Sequence, residues 1–300
     1  MHTLKYRGVA LAAVAALAGC APDITGLVEP DVARGGALGK DGPRGAVLVQ
    51  RDLRVRGDRV VAVDIIAASR DGDTIDTDLT PVLLVQGGSV PVERYRWLAT
   101  HLATRGAVVV MPRFLSDLAF FDQADAADGL AAARSASDLD GDVLAGVLND
   151  RAALAVGHSL GGVVAASAFD YDHGIGALAL LASYADPGSP PTRTDGQVLM
   201  LRGENDGLVE RSQIVDGAAA FKAPVVAADV VGLTHFQMTD EATDAEIQRE
   251  GTTGDDLAIV RPRLLFLLDA LFSDVSGGPD GDILDDDSIW PTGLTAVEQP

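Results

Sequence analysis

Short, uninterrupted apolar runs alternate with stretches of helical periodicity along most of this chain, and that alternation limits the possible folds more than any other feature. Residues 81–85, 107–111 and 152–156 are continuous apolar runs of five residues each, rich in Val, Leu and Ala. Runs this short without a polar face fit strands covered on both sides. Between them lie a segment at 92–105 with Tyr95, Leu98 and Leu102 at helical spacing, and an alanine-rich stretch at 116–135. A helix at 160–169, strands at 176–181, 198–201 and 225–230, a helix near 211–221 and an amphipathic helix over 256–272 continue the pattern. Strands and helices in this alternation predict an α/β fold, a mostly parallel central sheet with helices on both faces. Ahead of it, 46–55 and 59–67 flank Arg56-Gly57-Asp58 and read as an antiparallel hairpin. There is no internal repeat, and one domain is expected over 46–272.

The two ends read differently. Lys5 and Arg7 precede an apolar stretch over 8–17 that is too short to span a bilayer and has the proportions of a signal peptide. It closes in Leu17-Ala18-Gly19-Cys20, which resembles the lipobox of bacterial lipoproteins. That resemblance implies a signal peptide over 1–19, cleavage before Cys20, acylation of Cys20 and anchoring to a membrane of a bacterial cell envelope. Ala21, where an aspartate would favour the inner membrane, points to the outer one. An ordinary secretory peptide, cut after Ala16-Leu17-Ala18, is the competing reading. Cys20 is the one cysteine, so no intramolecular disulfide can form. Residues 20–45, rich in Gly, Pro, Ala and Asp without periodicity, are expected to be a flexible tether. Residues 273–300 are expected to be an acidic, disordered tail. Its aspartates, like those near Asp71 and Asp140, lack the ligand order of an EF-hand, so no metal site is expected.

With 44 acidic against 23 basic residues the formal net charge is −21, which repels phosphate backbones and anionic headgroups and removes nucleic acid as a primary ligand. No protein partner is indicated.

The chemistry centres on Gly157-His158-Ser159-Leu160-Gly161-Gly162, which matches the G-x-S-x-G pattern of a nucleophile elbow. The pattern alone is weak in a chain with 33 glycines. Its context is informative: a predicted strand ends at Val156 and a helix begins after Leu160, so Ser159 falls on the strand-to-helix turn. On these residues the chain resembles the α/β-hydrolases over about 46–272. Residues 94–110, a helix leading into Ala107-Val108-Val109-Val110, are similar to the chlorophyllase, dienelactone hydrolase and polyester-hydrolase group. Dienelactone hydrolases use a cysteine nucleophile, and serine at 159 excludes that variant.

The resemblance implies a triad ordered serine, acid, histidine. Of the five histidines, His235 lies after the last predicted strand, whereas His2, His101, His158 and His173 are badly placed in the order. The acid is read as Asp206, after the strand at 198–201, with Glu204 and Asp186 as alternatives. Backbone N–H groups of Leu160 and Gly88 are the expected oxyanion donors, with Ser89 as the alternative to Gly88; the loop reads Gln86-Gly87-Gly88-Ser89, where a histidine usually stands in place of Gln86. Only residues 182–196 separate two strands that often bracket a lid, so an open cleft without a large lid domain is expected. Its walls would include Leu160, Tyr184 and Phe236, with Phe114 as a further candidate. The implied function is hydrolysis of carboxylic esters, small or polymeric, through an acyl-enzyme and without a cofactor. An amidase, peptidase or acyltransferase would use the same groups, and a non-catalytic envelope lipoprotein would keep the fold alone.

Overall fold

In the computed structural model, residues 38–55, 59–114, 123–186, 188–240 and 242–298 are described. The residues read as a signal peptide and lipobox, Cys20 among them, lie outside these, as does the expected turn at 56–58.

Ten-residue strands β1 (Gly45–Arg54) and β2 (Val60–Ser69) pair antiparallel, as the hairpin pattern predicts. The apolar runs become β3 (Thr80–Val85), β4 (Ala107–Pro112), β5 (Ala153–His158), β6 (Ile175–Leu181), β7 (Gln197–Gly203) and β8 (Val225–Val230). These six are parallel, and β2 joins them antiparallel through β4. The sheet order is β1-β2-β4-β3-β5-β6-β7-β8-β9.

Alternate residues of each strand point to opposite faces, and the core divides accordingly. Leu83 and Val85 join one apolar cluster with Leu130, Val164, Phe169 and Ile214. Those partners come from α2 (Gln123–Ser137), α3 (Leu160–Tyr171) and α4 (Arg211–Ala220). Val82 and Leu84 join the other cluster with Leu98, Leu102, Leu264 and Leu268, from α1 (Arg96–Thr104) and α6 (Leu257–Ser276). A sheet covered on both sides explains why its strands read as uninterrupted apolar runs.

Strand β3 leads to β4 on one side while its other neighbour is β5. The loops leaving the C-terminal ends of β3 and β5 therefore diverge around a crevice, the usual ligand position in such sheets.

Two boundaries differ from expectation. The chain is already packed at Leu38, well before residue 45: Leu38 is buried, the Gly39 N–H donates to Asp269 Oδ2 at 2.7 Å, and the Gly42 N–H donates to Thr104 Oγ1 at 2.8 Å. At the other end the expected disordered tail is ordered as far as residue 298. After α6, Ile283 and Leu284 are buried, Trp290 Nε1 donates to the Ile283 carbonyl at 3.0 Å, and β9 (Leu294–Ala296) pairs antiparallel with β8. The aspartates that gave the segment its disordered character stand on its exposed side, while its few apolar residues face inward. Among the described residues no helix is long and apolar enough to cross a membrane.

Candidate active site

Ser159 sits between β5 and α3 with φ 51° and ψ −126°, a conformation that costs a non-glycine residue free energy and persists only when its surroundings impose it. Here three bonds do so. The Ser159 N–H donates to the Leu181 carbonyl at 2.9 Å, and its carbonyl accepts from the Gly162 N–H at 2.9 Å and from Ser183 Oγ at 2.6 Å. The flanking glycines are required by crowding. A Cβ on Gly157 would lie 2.5 Å from the Gly161 carbonyl oxygen, and one on Gly161 would strike the carbonyl oxygens of Val85 and Gln86. The elbow is thus packed directly against the loop that leaves β3.

His235 follows β8 by a short loop and is 2% exposed. Its Nδ1 lies 3.0 Å from Asp206 Oδ2 and 3.2 Å from Oδ1. Asp206 follows β7; its side chain is fully buried, and Oδ1 also accepts from the N–H groups of Leu208 and Val209, each at 2.8 Å. The two backbone donors and the ring N–H hold the carboxylate in place and orient it toward the ring. The alternatives for the acid lie elsewhere. Glu204 is exposed and accepts from the Gly232 N–H at 3.3 Å. Asp186 faces a separate hollow with Asp170 and Ser189.

A cavity of 240 Å³ brings these pieces together. Ser159, His235, Leu160, Gly88 and Phe236, all anticipated from the sequence, line it. The loop from Gly87 to Val90 is a tight turn, the Val90 N–H donating to the Gly87 carbonyl at 3.3 Å with Ser89 at φ 60°. That turn places the Gly88 and Ser89 backbone at the cavity, opposite the first turn of α3. Phe236 packs edge-on against the His235 ring, with centroids 5.1 Å apart. Among the described residues the Ser159 hydroxyl makes no hydrogen bond to the His235 ring; such contacts commonly tighten only once substrate is bound.

Tyr184 is a correction. It does not line this cavity; its hydroxyl accepts from Gln213 Nε2 at 2.9 Å, and it packs against the cluster under α4. Its side chain lies against Gly217 of α4, while the chain beyond it runs along α3, where Asp170 Oδ1 accepts from the Thr192 N–H at 2.6 Å. Phe114 is likewise buried in the core below, not on the cavity wall. Residues 182–196 form no helix among those described, as their number predicts.

Four contributors escaped the sequence reading. Helix α5 (Asp244–Glu250) brings Arg249 to the cavity and buries Glu250 beneath it. Glu250 Oε1 accepts from the His235 N–H. Burial pushes the Glu250 carboxyl above its usual range, against the backbone N–H groups of His235 and Phe236 that favour its charge. The signal for α5 is the capping box Thr243-Asp244-Ala245-Glu246, in which Thr243 Oγ1 accepts from the Glu246 N–H and Glu246 reaches back to the Thr243 N–H. The other two are His158, buried at the wall of the cavity, and Tyr95, buried behind it and joined to it at 2.7 Å. No group of three or more His, Cys, Asp or Glu able to hold a metal occurs among the described residues.

No curated protein matches the chain in a sequence search. A family model described as the Alpha/beta hydrolase family matches residues 81–243, more than half of the chain and a span that includes β3 from Pro81 onward, the elbow at Ser159, Asp206, His235 and the N-cap of α5. With that match and the nine-stranded sheet, the chain belongs to the alpha/beta hydrolase family.

Proposed function

We propose that this hydrolase cleaves carboxylic esters through an acyl-enzyme formed on Ser159. The observation that carries the reading is the shared cavity. A serine held at a strained strand-to-helix turn opens into the same 240 Å³ space as a histidine whose far nitrogen is bonded to a buried aspartate.

In the proposed reaction His235 Nε2 takes the proton of Ser159 Oγ as the oxygen attacks the ester carbonyl. Asp206 keeps the Nδ1 proton in place and stabilises the imidazolium. The N–H groups of Leu160 and Gly88 receive the negative charge on the carbonyl oxygen, and the N-terminus of α3 adds its dipole. His235 then protonates the leaving alcohol, and a water repeats the sequence to release the acid. The small cavity, with Val90, Leu160, Leu208 and Phe236 around it, favours short acyl groups or the end of a polymer over long-chain lipids.

The test is hydrolysis of p-nitrophenyl acetate, butyrate and octanoate by the wild type and by Ser159→Ala. Activity that falls with chain length and is abolished in the variant supports the reading, as does fluorophosphonate labelling confined to Ser159. Absence of both hydrolysis and labelling in the wild type would overturn it.

The lipobox at Leu17-Ala18-Gly19-Cys20 further supports placement in a bacterial envelope through acylated Cys20. Radiolabelled fatty acid incorporated by the wild type and not by Cys20→Ala is the expected result.

A further inference from the structure

His158 stands between the cavity and the core with no exposed surface and with both ring nitrogens engaged. Its Nε2 lies 3.2 Å from the carbonyl oxygen of His235, and its Nδ1 lies 2.7 Å from the Tyr95 hydroxyl. The Tyr95 oxygen in turn accepts from the Gly87 N–H at 2.8 Å. A carbonyl can only accept, so Nε2 carries the proton. In the neutral ring Nδ1 is then an acceptor, and the Tyr95 O–H points at it. Each group has one role, and the chain runs in one direction: Gly87 N–H to Tyr95 oxygen, Tyr95 O–H to His158 Nδ1, His158 Nε2–H to the His235 carbonyl.

The three anchored points are the three moving parts of the proposed reaction. Gly87 precedes the donor Gly88, His158 precedes the nucleophile, and His235 is the base. The geometry points to His158 as a positioning residue that, in this one tautomer, ties the oxyanion loop, the nucleophile elbow and the base loop into a single hydrogen-bonded unit. The inference rests on the serine-hydrolase reading above.

The surroundings keep the ring neutral. Burial disfavours its charge, and the His235 ring, 4.7 Å away between centroids, and Arg94 oppose it further, so it titrates well below the ordinary histidine range. The facing groups are Tyr95 on the turn before α1, Arg94 beside it, and His235. No carboxylate is among its hydrogen-bond partners. A neutral His158 leaves His235 free to become an imidazolium without a second imidazolium packed beside it. A side chain added at Gly87 would come within 2.8 Å of His158 Nδ1 and 3.0 Å of the Tyr95 hydroxyl, so the loop sits against this pair with no room to spare.

The experiment compares the purified wild type with Tyr95→Phe, His158→Phe and His158→Gln. It measures the thermal midpoint, kcat and KM on p-nitrophenyl butyrate, and the rate of fluorophosphonate labelling. Misplacement of reacting groups by an ångström costs about 100-fold, so Tyr95→Phe and His158→Phe are expected to lower kcat about 10- to 100-fold with KM nearly unchanged. Labelling should slow in parallel. His158→Gln, which keeps one donor and one acceptor, should recover part of the loss. Nitrogen NMR of the wild-type imidazoles should show one ring protonated at Nε2 that does not titrate between pH 5 and 9.

Normal wild-type labelling with kcat unaltered in Tyr95→Phe overturns the positioning role alone. So does a loss of activity that follows the thermal midpoint equally in the Phe and Gln variants, or a His158 ring that titrates near neutrality. A wild type that neither hydrolyses esters nor labels overturns the serine-hydrolase reading, and this inference with it.

Discussion

Asp206 meets His235 across 3.0 Å, Oδ2 to Nδ1, with the carboxylate fully enclosed and braced by two backbone N–H donors of its own loop. Because those donors come from Leu208 and Val209, the orientation of the acid is built before the histidine arrives. An asparagine would fit the same space but would present either an amide N–H to Nδ1 or a carbonyl without charge. Asp206→Asn is therefore expected to fold normally and lose about 10³- to 10⁴-fold in kcat through the wrong tautomer, with little change in KM. Steady-state kinetics beside a thermal melt would check this; a loss below tenfold would remove Asp206 from the triad.

A second buried histidine has a structural task. His101 Nε2 lies 2.8 Å from Asp269 Oδ1 and its Nδ1 2.9 Å from Asp41 Oδ1, which fixes residues 38–42 onto α1 and α6. Burial of the ring opposes its charge, but the two carboxylates outweigh it and lift the pKa to about 9. A folded-state value above the unfolded one stabilises below the unfolded value near 6.5 and loses that contribution as pH rises through 9. The unfolding free energy from urea melts should therefore fall between pH 7 and pH 10, by an amount on the order of 1–3 kcal/mol. His101→Gln should be less stable at pH 7 and lack most of that fall. Equal pH profiles in the two proteins would refute the assignment.

Glu250 holds the base loop from below. The Glu250 carboxylate accepts from the His235 and Phe236 N–H groups, and a side chain on Gly207 would strike its carbonyl, so the end of α5 touches both the base loop and the acid loop. Glu250→Gln keeps an acceptor and should retain activity within about tenfold. Glu250→Ala strands two buried donors, at about 1–3 kcal/mol each, and should lower both the thermal midpoint and kcat. Measuring the two variants side by side separates the acceptor from the charge.

The strands and the candidate triad were legible for one reason: a sheet buried on both faces leaves apolar runs without alternation, and the candidate residues stand where those runs end. Ser159, Asp206 and His235 follow β5, β7 and β8 in that way. The direction a loop takes after its strand leaves no such mark, which is why Tyr184 reads as a cavity residue and instead faces α4. Helix α5 is seven residues long and mostly exposed, so it has no apolar stripe to betray it; only its capping box does. His158 and Tyr95 read as an incidental neighbour and a core aromatic, because hydrogen bonds between residues 63 apart leave no local pattern.

The C-terminal segment misleads for the opposite reason. Asp280, Asp282 and Asp285-Asp286-Asp287 dominate its composition, yet Ile283 is 1% exposed, Leu284 2% and Val297 5%. Three inward side chains and a three-residue strand on β8 are enough to order it, since β8 would otherwise present an open edge. Each of those side chains contributes about 1.5–3 kcal/mol from burial, partly offset by the entropy of ordering the segment. A chain ending at Ser276 is therefore expected to melt roughly 5–10 °C lower and to aggregate on heating, as an exposed β8 edge recruits other copies. Triple replacement of Asp285, Asp286 and Asp287 by Asn should leave the midpoint nearly unchanged, because all three are exposed. Calorimetry of the two variants would locate the stabilisation in the apolar contacts. A truncated protein that melts with the full chain would return the segment to the status of a solvated tail.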